Sequence, residues 1–190
     1  SGKALLTLVD KISTNHTFFF RENEHFDFLS GNILPRILEG TPGKRKPAVR
    51  IWCAGCSSGE EPYSVAMVIS EFFKNHVDDV DIGILATDIS ISALEKAVAG
   101  IYPLERMELV PIYYRNKYFE PLKDGKWGVK QNIKKMVLFR RLNLIRQNFP
   151  FKGLFHLIFC RNVMIYFDRD TQRDLINRFH RYTAPDGYLF

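Results

Sequence analysis

The chain has 190 residues, of which 46% are hydrophobic and 14% aromatic, so it can bury one sizeable core, and this composition excludes a disordered chain. The formal net charge of +6 indicates an acidic partner, and the basic clusters are too short and too poor in aromatic neighbours to favour nucleic acid over a protein surface. No apolar run approaches membrane-spanning length and the three cysteines do not form a secreted disulfide framework, so we expect a soluble, cytoplasmic protein without membrane insertion.

Two helical segments are predicted ahead of the core, on either side of an aromatic motif. Apolar residues recur at helical spacing over 4–12 and again over roughly 24–38. The motif between them reads TNHTFFFR at 14–21, and its phenylalanines are expected to pack in the core. A polar linker follows, so we expect residues 1–48 to form an N-terminal helical segment and linker that carries this motif, and residues 49–190 to form the core.

The segment VRIWCAGCSSGEEP at 49–62 predicts a buried strand that passes through a glycine-bearing turn into a helix. Gly55 and Gly59 let the backbone approach a ligand closely. A second apolar run over 82–87 brings Asp88 to its end, where a carboxylate can hold two ribose hydroxyls. Strand, glycine turn, helix, strand and acid together predict an α/β fold with a Rossmann-like cofactor site.

The glycine spacing favours one class of cofactor over another. The dinucleotide fingerprint is G-x-G-x-x-G, and it rests a pyrophosphate on helix N–H groups. Here three residues separate Gly55 from Gly59, and Glu60 and Glu61 follow at once, where they would repel a pyrophosphate. They would tolerate a positively charged cofactor, and S-adenosylmethionine carries a sulfonium and an ammonium group.

The cysteines are expected to pack in the core. The sequence WCAGC, which contains Cys53 and Cys56, superficially resembles a thioredoxin redox motif, but a thioredoxin-like domain would leave Asp88 and the C-terminal half without a role. Cys160 ends another apolar run and is also expected to pack. No second pair of cysteines or histidines offers the spacing of zinc ligands, so no metal site is predicted.

Two further helices are predicted after the glycine turn and after Asp88. The first has one apolar stripe, made of Val65, Val68, Ile69, Phe72 and Phe73. Ser90 or Ser92 is expected to cap the second helix, and Gly100 is expected to end it. Its inward-facing residues are expected to be Ile91, Leu94 and Val98.

The alternation of strands and helices then breaks, which indicates an insertion over about 102–135. Asp124 and Gly125 stand between two β-rich runs and predict a two-residue hairpin, hence a small antiparallel β element. A strand over 136–140 could be shared by this insertion and the main sheet.

The core resumes with a strand over 154–160 and a helix over about 170–182. Asp168 and Asp170 are expected to cap this helix. Its buried face is expected to contain Leu175, Ile176, Phe179 and Tyr182. The last residues, YLF, predict the opening of another strand, so the chain is expected to be a fragment.

Four segments, in their order and spacing, resemble the CheR family, the chemotaxis receptor glutamate methyltransferases. They are TNHTFFFR at 14–21, GCSSGEEPYS at 55–64, ATDIS at 86–90 and FCRNVMIYFD at 159–168. The resemblance implies a Rossmann-like S-adenosylmethionine-dependent methyltransferase sheet with helices on both faces and a small antiparallel β-subdomain insertion.

The resemblance also implies an activity and partners. The enzyme would transfer a methyl group from S-adenosylmethionine to glutamate side chains on the cytoplasmic helices of chemotaxis receptors, giving glutamyl methyl esters and S-adenosylhomocysteine. In some members the β-subdomain docks a peptide from the receptor C-terminus. We expect a monomer that does not act on nucleic acid. The family usually carries a helical domain before the first motif and further strands after DGYLF, so we expect the chain to be truncated at both ends.

Site residues follow by matching motif positions. Arg21 and Tyr166 are the catalytic candidates that the resemblance implies. The residues implied to contact the cofactor are Asn15, Thr17, Arg21, Glu60, Asp88, Asn143, Leu144, Arg161 and Asn162.

In this reaction the expected task of Arg21 and Tyr166 is to position the acceptor carboxylate. A glutamate side chain has an ordinary pKa of about 4.3, so it is already an anion at neutral pH and needs no general base. Arg21 offers a planar fork for a carboxylate, and Tyr166 offers a hydroxyl that could steer its other oxygen.

Two alternatives remain open at this stage. One is a module that senses S-adenosylmethionine or S-adenosylhomocysteine without turnover. The other, less favoured, is a nucleic-acid methyltransferase, whose Asp/Asn-Pro-Pro-Tyr/Phe signature is absent where CRNVMIY stands.

Overall fold

The computed structural model describes residues 17–40 and 46–190, and the expected helix over 4–12 lies outside these ranges. The first part is a continuous helical stretch made of helix α1 (Glu24–Phe28), a π-helical turn (Leu29–Ile33) and helix α2 (Leu34–Glu39). Pro35 lacks an amide N–H and interrupts the α-helical ladder, which is consistent with the wider turn before it. The helix predicted over roughly 24–38 is confirmed, with an irregularity that its apolar spacing did not indicate.

The other elements alternate in chain order. The first part of the core contains strand β1 (Ala48–Ala54), helix α3 (Glu60–Phe73), strand β2 (Asp81–Asp88) and helix α4 (Ile91–Ala99). The middle contains β3 (Ile101–Pro103), α5 (Leu104–Met107), α6 (Ile112–Tyr118), β4 (Phe119–Pro121), β5 (Lys126–Val129) and α7 (Gln131–Lys134). The last part contains β6 (Val137–Arg141), β7 (Phe155–Phe159), α8 (Arg169–Tyr182) and β8 (Thr183–Leu189). Within residues 17–40 and 46–190, no helix meets the length and hydropathy of a transmembrane span.

Five parallel strands form the central sheet in the order β6-β2-β1-β7-β8. Strand β1 lies in the middle, with β2 on one side and β7 on the other. The winding direction reverses between β1 and β7, and ligands of open parallel sheets bind at the carboxyl ends of the strands beside such a switch point. The loops after β1, β2 and β7 therefore share the edge where a ligand is expected.

Two apolar cores lie on opposite faces of this sheet. Ile51 and Cys53 of β1 belong to one core, which is shared with α3. Trp52 and Ala54 alternate with them and belong to the other core, which contains Phe179 of α8. Helices thus cover both faces, and the predicted fold class is confirmed.

A second, antiparallel sheet has the order β3-β5-β4. The turn between β4 and β5 holds Asp124 at φ 60° and Gly125 at φ 70°, the pair of left-handed residues that a tight hairpin requires. The predicted hairpin is confirmed. Strand β6 pairs with β2 and so belongs to the main sheet.

The predicted inner face of α4 is partly wrong. Leu94 is buried as expected, but Ile91 and Val98 are 39% and 59% exposed, and Ala97 faces inward instead. A Cβ added at Gly59 would lie 2.9 Å from the Cβ of Ala97, so this helix lies too close to the glycine turn for a larger side chain at that position.

The predicted inner face of α8 also needs one correction. Leu175 and Phe179 are fully buried and Tyr182 is partly buried, as expected, but Ile176 is 45% exposed. Arg178 is buried on this helix because its guanidinium finds backbone carbonyls to bind.

The predicted helix caps at Ser90, Gly100 and Asp168 are confirmed, whereas Asp170 lies within the first turn of α8 and is not its cap. Ser90 Oγ accepts a hydrogen bond from the amide of Ala93 at 3.1 Å, and Gly100 ends α4 with φ 57°. Asp168 Oδ1 accepts a hydrogen bond from the amide of Thr171 at 2.9 Å and so caps α8.

Candidate functional site

The glycine turn after β1 is tied to the end of β2. The amides of Gly55 and Cys56 both donate to the carbonyl of Thr87, at 2.8 and 2.9 Å. Gly55 has φ 84° and Gly59 has φ 95°, a conformation that favours glycine. A Cβ at Gly55 would lie 2.4 Å from Cγ2 of Val163, so the turn packs directly against the loop after β7. Both positions therefore require glycine for backbone conformation and packing.

Asp88 lies buried at the carboxyl end of β2 and joins two loops. Its Oδ2 accepts from the amide of Ser57 at 2.7 Å, and its Oδ1 accepts from the amide of Ser90 at 2.9 Å. A carboxylate has about four acceptor sites, so these bonds are compatible with further hydroxyl donors. The arrangement fits the predicted role of Asp88 toward a ribose.

Glu60, the first residue of α3, is 1% exposed. Its Oε2 accepts from the hydroxyl of Ser58 at 2.7 Å, and its Oε1 lies 3.6 Å from Nη1 of Arg106. Burial raises the pKa of Glu60 against the hydrogen bond from Ser58 and the charge of Arg106. Arg106 also donates to the carbonyl of Thr17, so it joins the small sheet region, α3 and the aromatic motif. Sequence reasoning missed Arg106, because a single arginine in an insertion carries no distinguishing pattern.

The aromatic motif is packed between α3 and the small sheet. Phe19 is 1% exposed and makes edge contacts with the rings of Tyr102 and Phe119, at centroid distances of 4.9 and 5.2 Å. The amide of Phe20 donates to Ser64 Oγ at 3.0 Å. The predicted core packing of this motif is confirmed for Phe19.

Arg21 follows in the same loop with its side chain 28% exposed. Its guanidinium lies over the ring of Phe18, at 5.7 Å from the centroid, and its Nε is 3.7 Å from Oε1 of Glu22. Glu22 has φ 55° and Phe20 has φ 57°, so the backbone on both sides of Arg21 is left-handed.

The loop after β7 reaches back to this motif. The side chain of Arg161 is 4% exposed. Its Nη2 lies 3.3 Å from Oε2 of Glu22, its Nη1 lies 3.4 Å from Oε2 of Glu61, and it donates to the carbonyl of Arg21. Burial raises the pKa of Glu61 to about 7, against the opposing charge of Arg161.

The cysteines are buried and free of disulfides. Burial raises the pKa of the thiols of Cys53 and Cys56, and it raises the pKa of Cys160 to about 12. Thiols with raised pKa values are poor nucleophiles, so the predicted packing role is confirmed. In the part of the chain that the structure describes, no group of three or more histidine, cysteine, aspartate or glutamate side chains could hold a metal ion.

Asn162 and Tyr166 lie further along the loop after β7. Asn162 has φ 57°, which asparagine tolerates better than most residues. Tyr166 ends a 3₁₀ turn and is 62% exposed. The side-chain amide of Gln172 donates to the carbonyls of Met164 and Phe167, at 2.9 and 3.0 Å, and fixes the backbone on both sides of Tyr166.

The stretch after β6 completes the edge. The amide of Leu142 donates to the carbonyl of Asp88 at 2.9 Å, which places Asn143 and Leu144 next to the end of β2. Asn143 is exposed and its Oδ1 accepts from the amide of Ile145 at 3.0 Å, whereas Leu144 is buried. Arg178 holds this stretch by donating to the carbonyl of Leu144 at 2.8 Å.

The structure thus brings most of the predicted site residues to one edge of the sheet. Asn15 lies outside the described residues. The side chain of Arg161, predicted to contact a cofactor, is engaged with Glu22, Glu61 and the backbone of Arg21. Sequence reasoning also missed Arg178, because its carbonyl partner lies 34 residues away in the chain.

Comparisons with known proteins show the family to which the chain belongs. A family model described as CheR methyltransferase, SAM binding domain, matches residues 15–190. The chain is 52% identical over 185 residues to a chemotaxis protein methyltransferase of Borreliella burgdorferi, covering 97% of this chain and 65% of that protein. It is 41% identical over 187 residues to chemotaxis protein methyltransferase 1 of Pseudomonas aeruginosa, covering 96% of this chain and 66% of that protein. The chain therefore spans just under two thirds of the length of these relatives.

Solved structures of distant methyltransferases are also similar. The CcbJ methyltransferase of Streptomyces caelestis is 10% identical with a TM-score of 0.48, covering 84% of this chain and 48% of that chain. Magnesium protoporphyrin IX methyltransferase of Synechocystis PCC 6803 with bound SAH is 12% identical with a TM-score of 0.40, covering 84% of this chain and 52% of that chain.

Proposed function

This chain belongs to the CheR methyltransferase SAM-binding domain family, and we propose that it transfers a methyl group from S-adenosylmethionine to glutamate side-chain carboxylates of chemotaxis receptors. The products are glutamyl methyl esters and S-adenosylhomocysteine. This reaction would set sensory adaptation by changing the charge of the receptor helices. The names of the relatives, chemotaxis protein methyltransferases, support this substrate class, and the comparisons give no support to a sensing module or a nucleic-acid methyltransferase.

The observation that carries the proposal is the meeting of the motif segments at one edge of the sheet. Asp88 binds the amide of Ser57 in the glycine turn. The stretch after β6 binds the carbonyl of Asp88, and Arg161 binds the carbonyl of Arg21. Segments that are far apart in the chain are therefore held together by direct hydrogen bonds, as a shared ligand site requires.

The residues present fit the proposed cofactor. S-adenosylmethionine, when bound, supplies a methyl group that its sulfonium activates toward nucleophiles. Asp88 would accept the ribose hydroxyls, and Asn143 and Leu144 would flank the adenine. Glu60 stands at the start of α3, where a pyrophosphate would otherwise bind, and its carboxylate suits a cofactor that carries positive charge.

Arg21 and Tyr166 would bind and orient the acceptor. A substrate carboxylate is ionised at neutral pH, so the chain has no proton to remove and its contribution is placement. Arg21 presents a planar fork that matches a carboxylate. Oε1 of Glu22 lies 3.7 Å from Nε of Arg21 and partly compensates the positive charge of the guanidinium. We therefore expect Arg21 to orient the acceptor oxygen without neutralising the acceptor carboxylate. Tyr166 would donate its hydroxyl to the second oxygen.

The partner would be a receptor in the cytoplasm. The small sheet has two edge strands, β3 and β4, either of which could accept an extended receptor peptide as an additional strand. We propose that a receptor with a C-terminal tethering peptide docks there, and that the chain acts as a monomer.

The test is transfer of labelled methyl groups from S-adenosylmethionine to receptor cytoplasmic fragments. We expect label in a base-labile linkage, because glutamyl methyl esters are hydrolysed by alkali. Arg21→Lys should retain the positive charge but lose the fork, and we expect its turnover number to fall at least tenfold. Lys152→Arg, an exposed change on the loop before β7, serves as the matched control and should transfer at the wild-type rate.

Alkali-stable label, or label on RNA or DNA with steeply salt-dependent binding, would contradict the proposal. Tight binding of S-adenosylhomocysteine without methyl transfer to any receptor fragment would support the sensing module instead.

A further inference from the structure

The guanidinium of Arg161 is turned away from solvent and toward the loop that carries Arg21. The side chain is 4% exposed, although it lies only two residues after the carboxyl end of β7. Its Nη2 donates to the carbonyl of Arg21, and Nη2 and Nε both lie 3.3 Å from Oε2 of Glu22. Arg161 therefore binds the backbone of one residue and the side chain of the next.

The other side of the same guanidinium faces the core, where Nη1 has an ion-pair partner but no hydrogen bond within the described residues. Nη1 lies 3.4 Å from Oε2 of Glu61 in the first turn of α3. The guanidinium carbon lies 5.7 Å from the ring centroid of Phe26 in α1 and 5.9 Å from that of Phe159 in β7. Elements β7, α3 and α1 all belong to the packed core. Arg161 therefore anchors the loop of residues 17–23, which we call the motif loop, to the core.

The motif loop needs such a tie. Phe20 and Glu22 both have left-handed φ angles, which cost energy in residues other than glycine and persist when the surroundings fix them. The amide of Phe20 is held by Ser64, upstream of Arg21. Arg161 holds the downstream side, at the carbonyl of Arg21 and the carboxylate of Glu22.

We propose that Arg161 is a positioning residue for methyl transfer, which fixes the backbone of Arg21 by bridging it and Glu22 to Glu61, rather than a residue whose side chain binds the cofactor. The inference rests on the proposed function, because it assigns Arg161 a role in placing the acceptor-binding arginine. Lysine cannot make this bridge, since a single ammonium lacks the planar fork that reaches two carboxylates and a carbonyl in different directions.

Arg178 offers a matched comparison. It is also buried, it also lies over a phenylalanine ring, at 5.6 Å from the centroid of Phe149, and it also binds backbone carbonyls, those of Leu144 and Arg146. Its loop is the one expected to flank the adenine. Arg161→Lys and Arg178→Lys therefore remove the same kind of contact from the two sides of the site.

The experiment compares the two variants with Arg50→Lys, a control that touches the ion pair with Asp81 at the other end of the sheet. Three quantities are measured on each folded variant: the dissociation constant of S-adenosylhomocysteine, the turnover number and KM for a receptor fragment, and hydrogen exchange of the amides in 17–22. For Arg161→Lys we expect the turnover number to fall at least tenfold, loop exchange to rise at least tenfold, and the dissociation constant to change less than threefold. For Arg178→Lys we expect weaker binding of S-adenosylhomocysteine with loop exchange unchanged.

Weaker binding of S-adenosylhomocysteine by Arg161→Lys, with its turnover number and loop exchange at wild-type values, would overturn the inference. Equal effects of both variants on all three quantities would also overturn it, because they would indicate a general loss of stability. If the wild-type chain transfers no methyl group, the proposed function fails, and unchanged loop exchange in Arg161→Lys would then separately reject the bridge.

Discussion

Buried charges next to the motif loop set the behaviour of individual residues. Glu61 faces the guanidinium of Arg161 and the thiol of Cys53, with Glu22 and Arg21 at longer range. Burial dominates and raises its pKa to about 7 from an ordinary value of about 4.5. A glutamate whose pKa is higher in the folded state binds more protons there than in the unfolded state, so its contribution to stability falls as pH rises between about 4.5 and 7.

Glu61→Gln should remove this pH dependence. Between pH 5 and pH 8 the free energy of unfolding of the wild type should fall, relative to that of the variant, by up to about 3 kcal/mol. Denaturant unfolding of both proteins across this pH range measures the difference between their free energies of unfolding. Most other groups titrate alike in the two proteins, so their contributions cancel in this difference.

Glu71→Gln is the control for this measurement. Burial opposes ionisation of Glu71, but hydrogen bonds from Lys117, Tyr118 and Tyr113 outweigh it and lower its pKa, so its contribution changes only in more acidic solution. The difference between Glu71→Gln and the wild type should therefore stay flat from pH 5 to pH 8. A flat difference for Glu61→Gln as well would show that Glu61 is ionised with an ordinary pKa in the folded protein.

Some residue roles could be predicted from the sequence and others could not. Asp88 and the two glycines could be predicted from the sequence because their pattern is local: an acid or a glycine follows an apolar run. Arg106, Arg161 and Arg178 act by donating to backbone carbonyls of distant segments. A carbonyl is present at every position, so no residue type in the sequence marks the partner.

At the scale of elements, the glycine turn after β1 is held by both backbone conformation and packing. Gly55→Ala should destabilise the fold by about 2–4 kcal/mol, because it adds left-handed strain to a steric conflict with Val163. Gly125→Ala is the matched control, since Gly125 also has a positive φ but no atom within 4 Å of an added Cβ. It should cost only about 1 kcal/mol.

The double variant Gly55→Ala, Val163→Ala separates the two causes. It should recover part of the stability lost in Gly55→Ala, as chemical denaturation would measure. If Gly55→Ala costs no more than Gly125→Ala, the packing of the turn against the loop after β7 is not as tight as the structure indicates.

Apolar spacing predicted the buried face of one helix correctly and those of two other helices only in part. In α3 the apolar stripe was correct because this helix is buried on most sides. In α4 and α8 the exposed Ile91, Val98 and Ile176 were wrongly placed inward. Ala97 and Arg178 face inward instead. Ala97 is small enough for close packing, and hydrogen bonds compensate the burial of Arg178. Hydrophobicity alone predicts neither residue at a buried position.

At the scale of the whole molecule, the fold class followed from the alternation of apolar runs and helical segments, because parallel strands need crossover connections, which are usually helical. The insertion was visible as a break in that alternation and forms a separate sheet with the predicted hairpin. We propose that residues 49–190 are the methyltransferase core; the N-terminal segment and linker predicted over 1–48 lie in part outside the described residues. The relatives are longer than this chain, so its activity alone is part of the proposal.

We propose that the edge shared by the ends of β1 and β2 binds the S-adenosyl group through Asp88. Calorimetric titration with S-adenosylhomocysteine measures this binding. The wild type should bind, and Asp88→Ala and Asp88→Asn should each weaken binding more than tenfold, because a ribose bound to a carboxylate depends on the charge of its acceptor. Asp78→Ala removes an exposed acid before the other end of β2 and should bind within twofold of the wild type. Wild-type affinity in folded Asp88→Asn, or no binding by the wild type, would contradict the account.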